Sequence, residues 1–188
     1  MFWKKSKWEI IAFVVLVSFI SISLVHKHMV SKEKARSQYV IPVSKTPIYI
    51  EKMNPRIDPA IRKLISDAVD EGCKTYNLDP EMVVSLIHRE SQFKPWAMSF
   101  DEKTKKPIAY GLMQIHYKVH DDIQARYSIN QICEIRTNVL EGCRILHQYI
   151  ASANGDINIA LGRYVNSQGF TSYKKDILSQ AAIFYAMR

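Results

Sequence analysis

The sequence predicts a mainly α-helical domain that follows a single N-terminal membrane-spanning helix. Apolar residues in the region 57–188 recur at the i, i+3, i+4 spacing of buried helix faces, and no alternating run there is long enough to predict a strand. Asp58-Pro59 and Asp79-Pro80 supply the N-cap and first-turn residues with which helices begin. A run of 16 uncharged, mostly apolar residues, 10–25, precedes this region.

Residues 1–26 are predicted to be a cytoplasmic tip and a transmembrane signal-anchor. As a helix the uncharged run would extend about 24 Å, slightly less than a bilayer core of roughly 30 Å, and Trp3 and Trp8 can occupy the interface. The run is long for a cleavable signal peptide and no Ala-x-Ala motif follows it, so cleavage is the alternative. Lysines lie on both sides of the run, and charge therefore leaves its orientation open.

Residues 27–56 predict a linker without a fold of its own, because they lack a helical stripe and contain Pro42, Pro47 and Pro55. Most of the net positive charge lies on the N-terminal side of the predicted domain, in residues 1–56. Residues 1–56 carry 10 lysines and arginines against 3 acidic residues, whereas residues 57–188 carry 16 against 15. A nucleic-acid-binding domain would hold the basic excess itself, so we predict no nucleic-acid partner and favour contact with anionic lipid.

The helices of the domain are predicted from their apolar stripes and from the residues that interrupt them. In chain order the predicted spans are 58–72, 79–94, 138–150, 156–164 and 172–187, with a further short helix beginning at Gly111. Gly72 and Pro95 are predicted to end the first two helices, and residues 96–110 to form a loop with a lysine-rich tip. Gly142 is expected to let a neighbouring helix approach closely.

Glu90 is the residue that best fits a chemical role. Val83, Leu86 and Ile87 mark the buried face of their helix, and Glu90 occupies the next position on that face, near the helix C-terminus. Burial and the helix dipole both disfavour the charged carboxylate, so we expect a raised pKa suited to a general acid. The alternative is a Glu90 side chain that bends into solvent or pairs with Arg89.

The cysteines and histidines do not predict a metal or cofactor site. Cys143 lies on an apolar stripe and predicts a buried free thiol, whereas Cys73 and Cys133 lie at element ends and could pair in an oxidising compartment. His116 and His120 are four residues apart, but the intervening sequence lacks the glutamate of His-Glu-x-x-His, so we expect partly exposed polar side chains. We predict no cofactor and no metal.

Four short blocks carry a resemblance to a known family. They are Glu90-Ser91-x-Phe93-x-Pro95-x-Ala97, then Gly111-Leu112-Met113-Gln114-Ile115, then Asn138-Val139-x-x-Gly142, then Gly155-Asp156 with Ala160-Leu161-x-x-Tyr164. In this order, over residues 57–170, they resemble the catalytic domain of the soluble lytic transglycosylases, which are lysozyme-like and mainly helical.

The resemblance implies cleavage of the β-1,4 bond between N-acetylmuramic acid and N-acetylglucosamine in peptidoglycan. Glu90 would protonate the glycosidic oxygen and then, as a carboxylate, deprotonate the C6 hydroxyl, which closes a 1,6-anhydro ring without water. The resemblance also assigns supporting and binding roles. Ser91 would hydrogen-bond to the glutamate, Tyr164 would face it, and the sugar would contact Met113, Gln114 and Asn166, the last lying one residue later than the family's asparagine.

The resemblance further implies a location and partners. Because peptidoglycan lies outside the cytoplasmic membrane, the domain would be periplasmic, held by a single pass through residues 10–25, or secreted to the periplasm after signal cleavage. Cys73 and Cys133 match positions in the small transglycosylases of secretion and pilus systems, which implies their pairing and makes a secretion, pilus or phage assembly a candidate partner. A hydrolytic lysozyme and a non-catalytic wall-binding subunit are the alternative functions.

Overall fold

The computed structural model describes residues 44–165 and 171–187. The helices of this part of the chain are α1 (Thr46–Met53), α2 (Pro59–Tyr76), α3 (Pro80–Ser91), α4 (Asp121–Gln124), α5 (Ile129–Ile132), α6 (Ile135–Ser152), α7 (Ile157–Tyr164) and α8 (Thr171–Tyr185). Two short strands, β1 (Met98–Phe100) and β2 (Pro107–Tyr110), and a 3₁₀ turn (Tyr117–Val119) lie between α3 and α4. The predicted mainly α class is confirmed.

The first predicted helix extends beyond its expected end at Gly72. Asp58 caps α2 by accepting hydrogen bonds from the backbone N–H groups of Ala60 and Ile61, as the cap-and-proline start predicts. The helix continues to Tyr76 and ends at Asn77, whose left-handed φ of 51° serves the role often taken by glycine. Gly72 instead lies inside α2, where its missing side chain leaves room for a neighbouring helix.

The predicted linker 27–56 is wrong in its C-terminal part, because α1 lies within it. Pro47 lies in the first turn of α1, where a proline is tolerated, so it does not interrupt the helix. Tyr49 and Ile50 are 2% and 0% exposed, and the ring of Tyr49 stacks on Phe184 of α8 at 4.5 Å. An eight-residue helix is too short to show a repeating stripe, which is why the pattern did not predict it.

Residues 10–25, the predicted membrane span, lie outside the described residues, as do residues 27–43 of the linker. Among the helices that the structure describes, none has the length and apolar character needed to cross a membrane.

Two apolar clusters form the core and fix the position of the site. The larger one joins α1, α2, α3, α6, α7 and α8, with α2 packed on α6 and α3 packed on α8. The smaller one lies beneath the strands and short helices and consists of Tyr110, Ile115, Ile123, Ile132 and Ile145. The C-terminal end of α3 carries Glu90 and packs against α8. Glu90 also shares a groove with Ser99 of β1 and Ala109 of β2.

A hairpin replaces the loop predicted at residues 96–110. The strands β1 and β2 are antiparallel, with Met98 opposite Tyr110 and Ser99 opposite Ala109, and the register shifts at Phe100. Three- and four-residue strands, of which β1 is exposed throughout, are too short to produce an alternating pattern in the sequence.

The predicted short helix at Gly111 is instead a tight turn held by a buried asparagine. Gly111 and Gln114 have φ values of 79° and 48°, which a right-handed helix does not contain. Asn138 of α6 is fully buried. Its Oδ1 accepts from the Met113 N–H at 2.8 Å, and its Nδ2 donates to the carbonyl oxygens of Tyr110 and Ile132 at 2.9 and 2.8 Å. All the bonds that this amide makes therefore tie the turn to α5 and α6.

Gly142 does permit a close approach, but the neighbour is this turn and not a helix. A Cβ atom at Gly142 would lie only 2.7 Å from Met113 Cβ, closer than side-chain atoms pack. The bare face of α6 therefore sets the depth at which the turn sits.

Candidate active site

An open groove of about 440 Å³ lies between the end of α3, the hairpin, the Gly111 turn and helices α6 and α7. Its walls carry polar and aromatic groups: Glu90, Ser99, Ala109, Gln114, Ile115, His116, Val119, His120, Ile145, Tyr149, Arg163, Tyr164 and Val165. Of these described lining residues, Glu90 alone has a carboxyl group.

Glu90 is the penultimate residue of α3, and the helix ends directly after it because Gln92 adopts a left-handed φ of 53°. Its side chain is partly buried at the wall of the groove. Burial raises the pKa of the Glu90 carboxyl, opposed by a hydrogen bond from Tyr173 and by the positive charge of Arg89. The direction agrees with the expectation from the apolar stripe, and the side chain neither bends fully into solvent nor forms an ion pair with Arg89, which contacts Asp176 at 3.6 Å.

Tyr173 of α8 is the partner of Glu90 that the sequence did not reveal. Its side chain is 6% exposed, and its hydroxyl donates a hydrogen bond to Glu90 Oε1. The guanidinium of Arg89 lies 5.4 Å from the centre of the Tyr173 ring. Burial and the charge of Glu90 raise the pKa of Tyr173 far above its ordinary value, so the hydroxyl stays protonated and remains a donor. Helical spacing placed Tyr173 on a buried face, but only the packing of α8 on α3 shows what it contacts.

Tyr164, which the resemblance placed opposite the carboxyl, lines the same groove as Glu90. Its hydroxyl, however, donates to the backbone carbonyl oxygen of Met113 at 2.8 Å. Burial, followed by the charge of Glu90, raises the pKa of Tyr164 well above its ordinary value. Tyr164 therefore ties α7 to the Gly111 turn, while Tyr173 supplies the hydrogen bond to the carboxyl.

Ser91 and Met113 do not occupy the positions that the resemblance implies. Ser91 is buried, and its hydroxyl donates to the carbonyl oxygen of Ile87 in the preceding turn of α3, not to Glu90. Met113 is 0% exposed and packs against Gly142, so its side chain lies outside the groove and cannot contact a sugar there. Both side chains therefore pack behind the groove and are not among the described residues that line it.

Gln114 lies in the groove wall, as expected, but most of its hydrogen-bonding groups have partners within the protein. Its Nε2 donates to the carbonyl oxygens of Ala97 and Gly111 at 3.0 and 2.8 Å, and its Oε1 accepts from the Ser99 hydroxyl at 2.6 Å. The side chain thus joins the hairpin to the turn and presents a fixed amide to the groove. Asn166, the remaining predicted sugar-binding residue, lies outside the described residues.

The predicted Cys73–Cys133 disulfide is not present, since all three cysteines are free in the structure. Cys73, near the end of α2, lies next to Cys143 of α6, which raises the pKa of the Cys73 thiol more than any other group does. Cys133 follows α5 and packs against the smaller apolar cluster. The predicted partner of Cys73 was wrong because α2 packs along α6, and Cys143 of α6 therefore lies next to Cys73. Cys143 is buried with a free thiol in this structure, as its apolar stripe predicts.

His116 and His120 flank the 3₁₀ turn and are partly exposed, as expected, yet both line the groove that contains Glu90. Burial lowers the pKa of His120, which favours a neutral imidazole. In the part of the chain that the structure describes, no three His, Cys, Asp or Glu side chains are grouped as metal ligands.

The structure thus places one carboxyl group with a raised pKa at the wall of an open groove in a mainly helical domain, an arrangement suited to acid–base chemistry on an extended substrate. A comparison with protein families agrees, because the model described as "Transglycosylase SLT domain" matches residues 67–182. This match covers more than half of the chain, which therefore belongs to the transglycosylase SLT domain family, a lysozyme-like group. A search of curated proteins finds no match.

Proposed function

We propose that this protein is a peptidoglycan lytic transglycosylase that cleaves the bond between N-acetylmuramic acid and N-acetylglucosamine with formation of 1,6-anhydro-N-acetylmuramic acid. The observation that carries the proposal is that Glu90 is the only carboxyl group among the described residues lining the groove. Hydrolysis by the common two-carboxylate scheme needs a second carboxylate, about 5 to 9.5 Å from the first, to attack the sugar or activate water. An intramolecular attack has no such requirement.

Glu90 would act first as an acid and then as a base. Because burial raises its pKa, a protonated fraction is available closer to neutral pH than for an exposed glutamate, and this proton passes to the glycosidic oxygen as the bond to C1 breaks. The resulting carboxylate then accepts the proton of the C6 hydroxyl, and the C6 oxygen bonds to C1. The first proton stays on the hydroxyl of the leaving sugar and the proton of the C6 hydroxyl restores the carboxyl, so the atoms balance without water.

The neighbours of Glu90 support this reaction by fixing the carboxyl group. The hydroxyl of Tyr173 donates to Oε1 of Glu90, which itself lines the groove. Arg89 of α3 forms an ion pair with Asp176 of α8, and its guanidinium lies over the ring of Tyr173. These two contacts hold the ring against α3. A carboxyl held in one orientation loses little freedom when the substrate binds, which is one source of catalytic rate.

Analysis of the products tests the proposal. Purified peptidoglycan digested by the full chain should release muropeptides that end in 1,6-anhydro-N-acetylmuramic acid, each lighter by one water than the product of hydrolysis. Mass spectrometry of the digest, with a hydrolytic lysozyme as a reference, distinguishes the two. Products with reducing ends would establish the lysozyme alternative, and an intact glycan would favour the non-catalytic wall-binding alternative.

We also propose that residues 10–25 anchor the protein in the cytoplasmic membrane and that its domain lies in the periplasm, where glycan strands are its partner. The support is the 16-residue uncharged run together with the family's link to peptidoglycan. A secretion, pilus or phage assembly is a further candidate partner. Membrane fractionation of cells that express the full chain tests the anchor, and recovery in the soluble periplasmic fraction would instead indicate a cleaved signal.

Replacing Tyr173 by Phe should lower the rate about tenfold and move the alkaline limb of the pH–rate profile to higher pH. The donated hydrogen bond stabilises the ionised carboxylate, so its removal raises the pKa of Glu90 further, and the protonated form that the first step needs persists to higher pH. The measurement is kcat/KM against pH on purified glycan strands.

Tyr76→Phe is the matched control, because Tyr76 lies at the end of α2 beside His147 and outside the groove lining. This variant should keep both the rate and the profile of the unaltered protein. A Tyr173→Phe profile whose alkaline limb is unchanged, or lies at lower pH, would show that the hydroxyl does not control the ionisation of Glu90.

A further inference from the structure

Two cysteines meet at the interface between α2 and α6. Cys73 and Cys143 are 4% and 0% exposed within the main apolar cluster, and the Cys143 side chain is close enough to be the largest influence on the pKa of the Cys73 thiol, which it raises. Gly72, the residue before Cys73, faces the same helix, and a Cβ atom there would lie 2.8 Å from Cys143 Sγ. The two helices therefore approach at the point where the two thiols lie.

The third cysteine has a different environment. Cys133 follows α5, is half-buried, and packs against the smaller apolar cluster and not against α2. None of the three thiols lines the groove that contains Glu90, so the proposed reaction does not use them. The structure thus separates one paired dithiol from one single thiol.

We propose that Cys73 and Cys143 form a disulfide that joins α2 to α6 when the chain folds in the presence of an exchangeable disulfide such as glutathione disulfide, and that Cys133 remains a thiol. One cysteine thiolate attacks the reagent disulfide, and a mixed disulfide forms as one reagent thiolate leaves. The second cysteine thiolate then attacks the protein sulfur of this intermediate and displaces the other reagent thiolate. The protein loses two S–H protons and two electrons, and the reagent is reduced to two thiols.

The oxidation belongs to the folding process and not to the finished fold. The neighbouring Cys143 side chain and burial both raise the pKa of the Cys73 thiol, so the reactive thiolate is scarce in the folded protein. Burial also excludes the reagent disulfide. A chain that has folded in reducing buffer should therefore keep its two thiols for a long time after an oxidant is added.

The bond would close a loop that contains the functional part of the domain. The segment between the two cysteines, about 70 residues, includes α3 with Glu90, the hairpin and the Gly111 turn. A cross-link of this length lowers the conformational entropy of the unfolded chain, and we expect a Tm about 10 °C higher in the oxidised protein.

The experiment uses the full chain in detergent. The reduced protein is unfolded, refolded with reduced and oxidised glutathione, alkylated, and digested without reductant for peptide mass spectrometry. We expect one cross-linked peptide joining Cys73 to Cys143, one alkylated cysteine at 133, and a Tm about 10 °C above that of the chain refolded in reducing buffer. Three alkylated cysteines, or a cross-link from Cys73 to Cys133, would overturn the proposal.

Two variants sharpen the result. Cys133→Ser should keep both the cross-link and the difference in Tm between oxidised and reduced protein, and their loss in this variant would contradict the proposed pairing. Cys143→Ala should show no such difference, and if it fails to fold, the comparison of the unaltered protein refolded with glutathione and refolded in reducing buffer still decides. The readouts are thiol content and Tm, so this proposal can fail while the proposed enzymatic function stands, and the reverse.

Discussion

Glu90→Gln should abolish the cleavage of glycan strands while leaving their binding intact. The amide has nearly the same shape as the carboxyl and can still accept the hydrogen bond from Tyr173, but it can neither donate the acidic proton nor act as the base. We expect a loss of about 10³-fold in the rate of product release, the range typical of a removed acid–base group. The rate of release of anhydro-muropeptides measures the first effect, and co-sedimentation with purified peptidoglycan measures the second.

Glu102→Gln is the control for this prediction. Glu102 lies exposed in the loop between β1 and β2, outside the residues that line the groove, and its replacement makes the same chemical change. This variant should cleave at the rate of the unaltered protein. If Glu90→Gln also retained the full rate, Glu90 would have no catalytic role, and the domain would function as a wall-binding subunit or through another group.

Glu90→Gln should also make the protein more stable at neutral pH. Since burial raises the pKa of Glu90 above the ordinary value of 4.5, the folded protein binds its proton more tightly than the unfolded chain does. Stability from this group is therefore complete below the ordinary pKa and is lost as the pH rises through the folded pKa. The Tm of Glu90→Gln should exceed that of the unaltered protein at pH 7.5 and equal it near pH 4. A lower Tm at pH 7.5 would show that the ionised carboxylate stabilises the fold.

Periodicity explains which parts of the fold could be predicted. The faces of α3, α6 and α8 each repeat over three turns or more, so their apolar stripes stood out, and Glu90 was conspicuous as a carboxyl that continues such a stripe. Its position on the local stripe was enough to predict burial and a raised pKa, and burial does raise the pKa of Glu90 in the structure. Short elements left no such signal, which is why α1 and the hairpin were missed.

Contacts between elements explain what could not be predicted. The stripe of α8 placed Tyr173 inward, but no property of that helix alone says that its hydroxyl reaches Glu90 on α3. The family resemblance places Met113 in the groove, whereas the bare surface at Gly142 leaves room for its side chain in the core. The partner of Cys73 likewise depends on which helix packs against α2. In each of these three cases the partner is distant in sequence.

The second large effect is expected at Asn138, whose replacement by Leu should destabilise the domain by about 3 kcal/mol and lower the Tm by about 10 °C. Leucine fills a similar volume but leaves the N–H of Met113 without the Asn138 acceptor and removes the donor to the carbonyl oxygens of Tyr110 and Ile132. Buried backbone groups that lose a partner each cost about 1 to 3 kcal/mol. The free energy of unfolding by denaturant, with the Tm, measures the effect.

The loss should extend to activity, because Asn138 holds the turn whose Gln114 forms the groove wall. Below the lowered Tm, we expect Asn138→Leu to bind glycan more weakly, as a higher KM, whereas Asn158→Leu, the same change at an exposed position of α7, should alter neither stability nor KM. The turn also has backbone supports, among them the reciprocal hydrogen bonds between Tyr110 and Ile115 at 3.1 and 3.0 Å and the bond from the Gly111 N–H to the Ala97 carbonyl oxygen at 2.8 Å. If Asn138→Leu proved as stable and active as the unaltered protein, the remaining contacts of the turn would be sufficient to hold it.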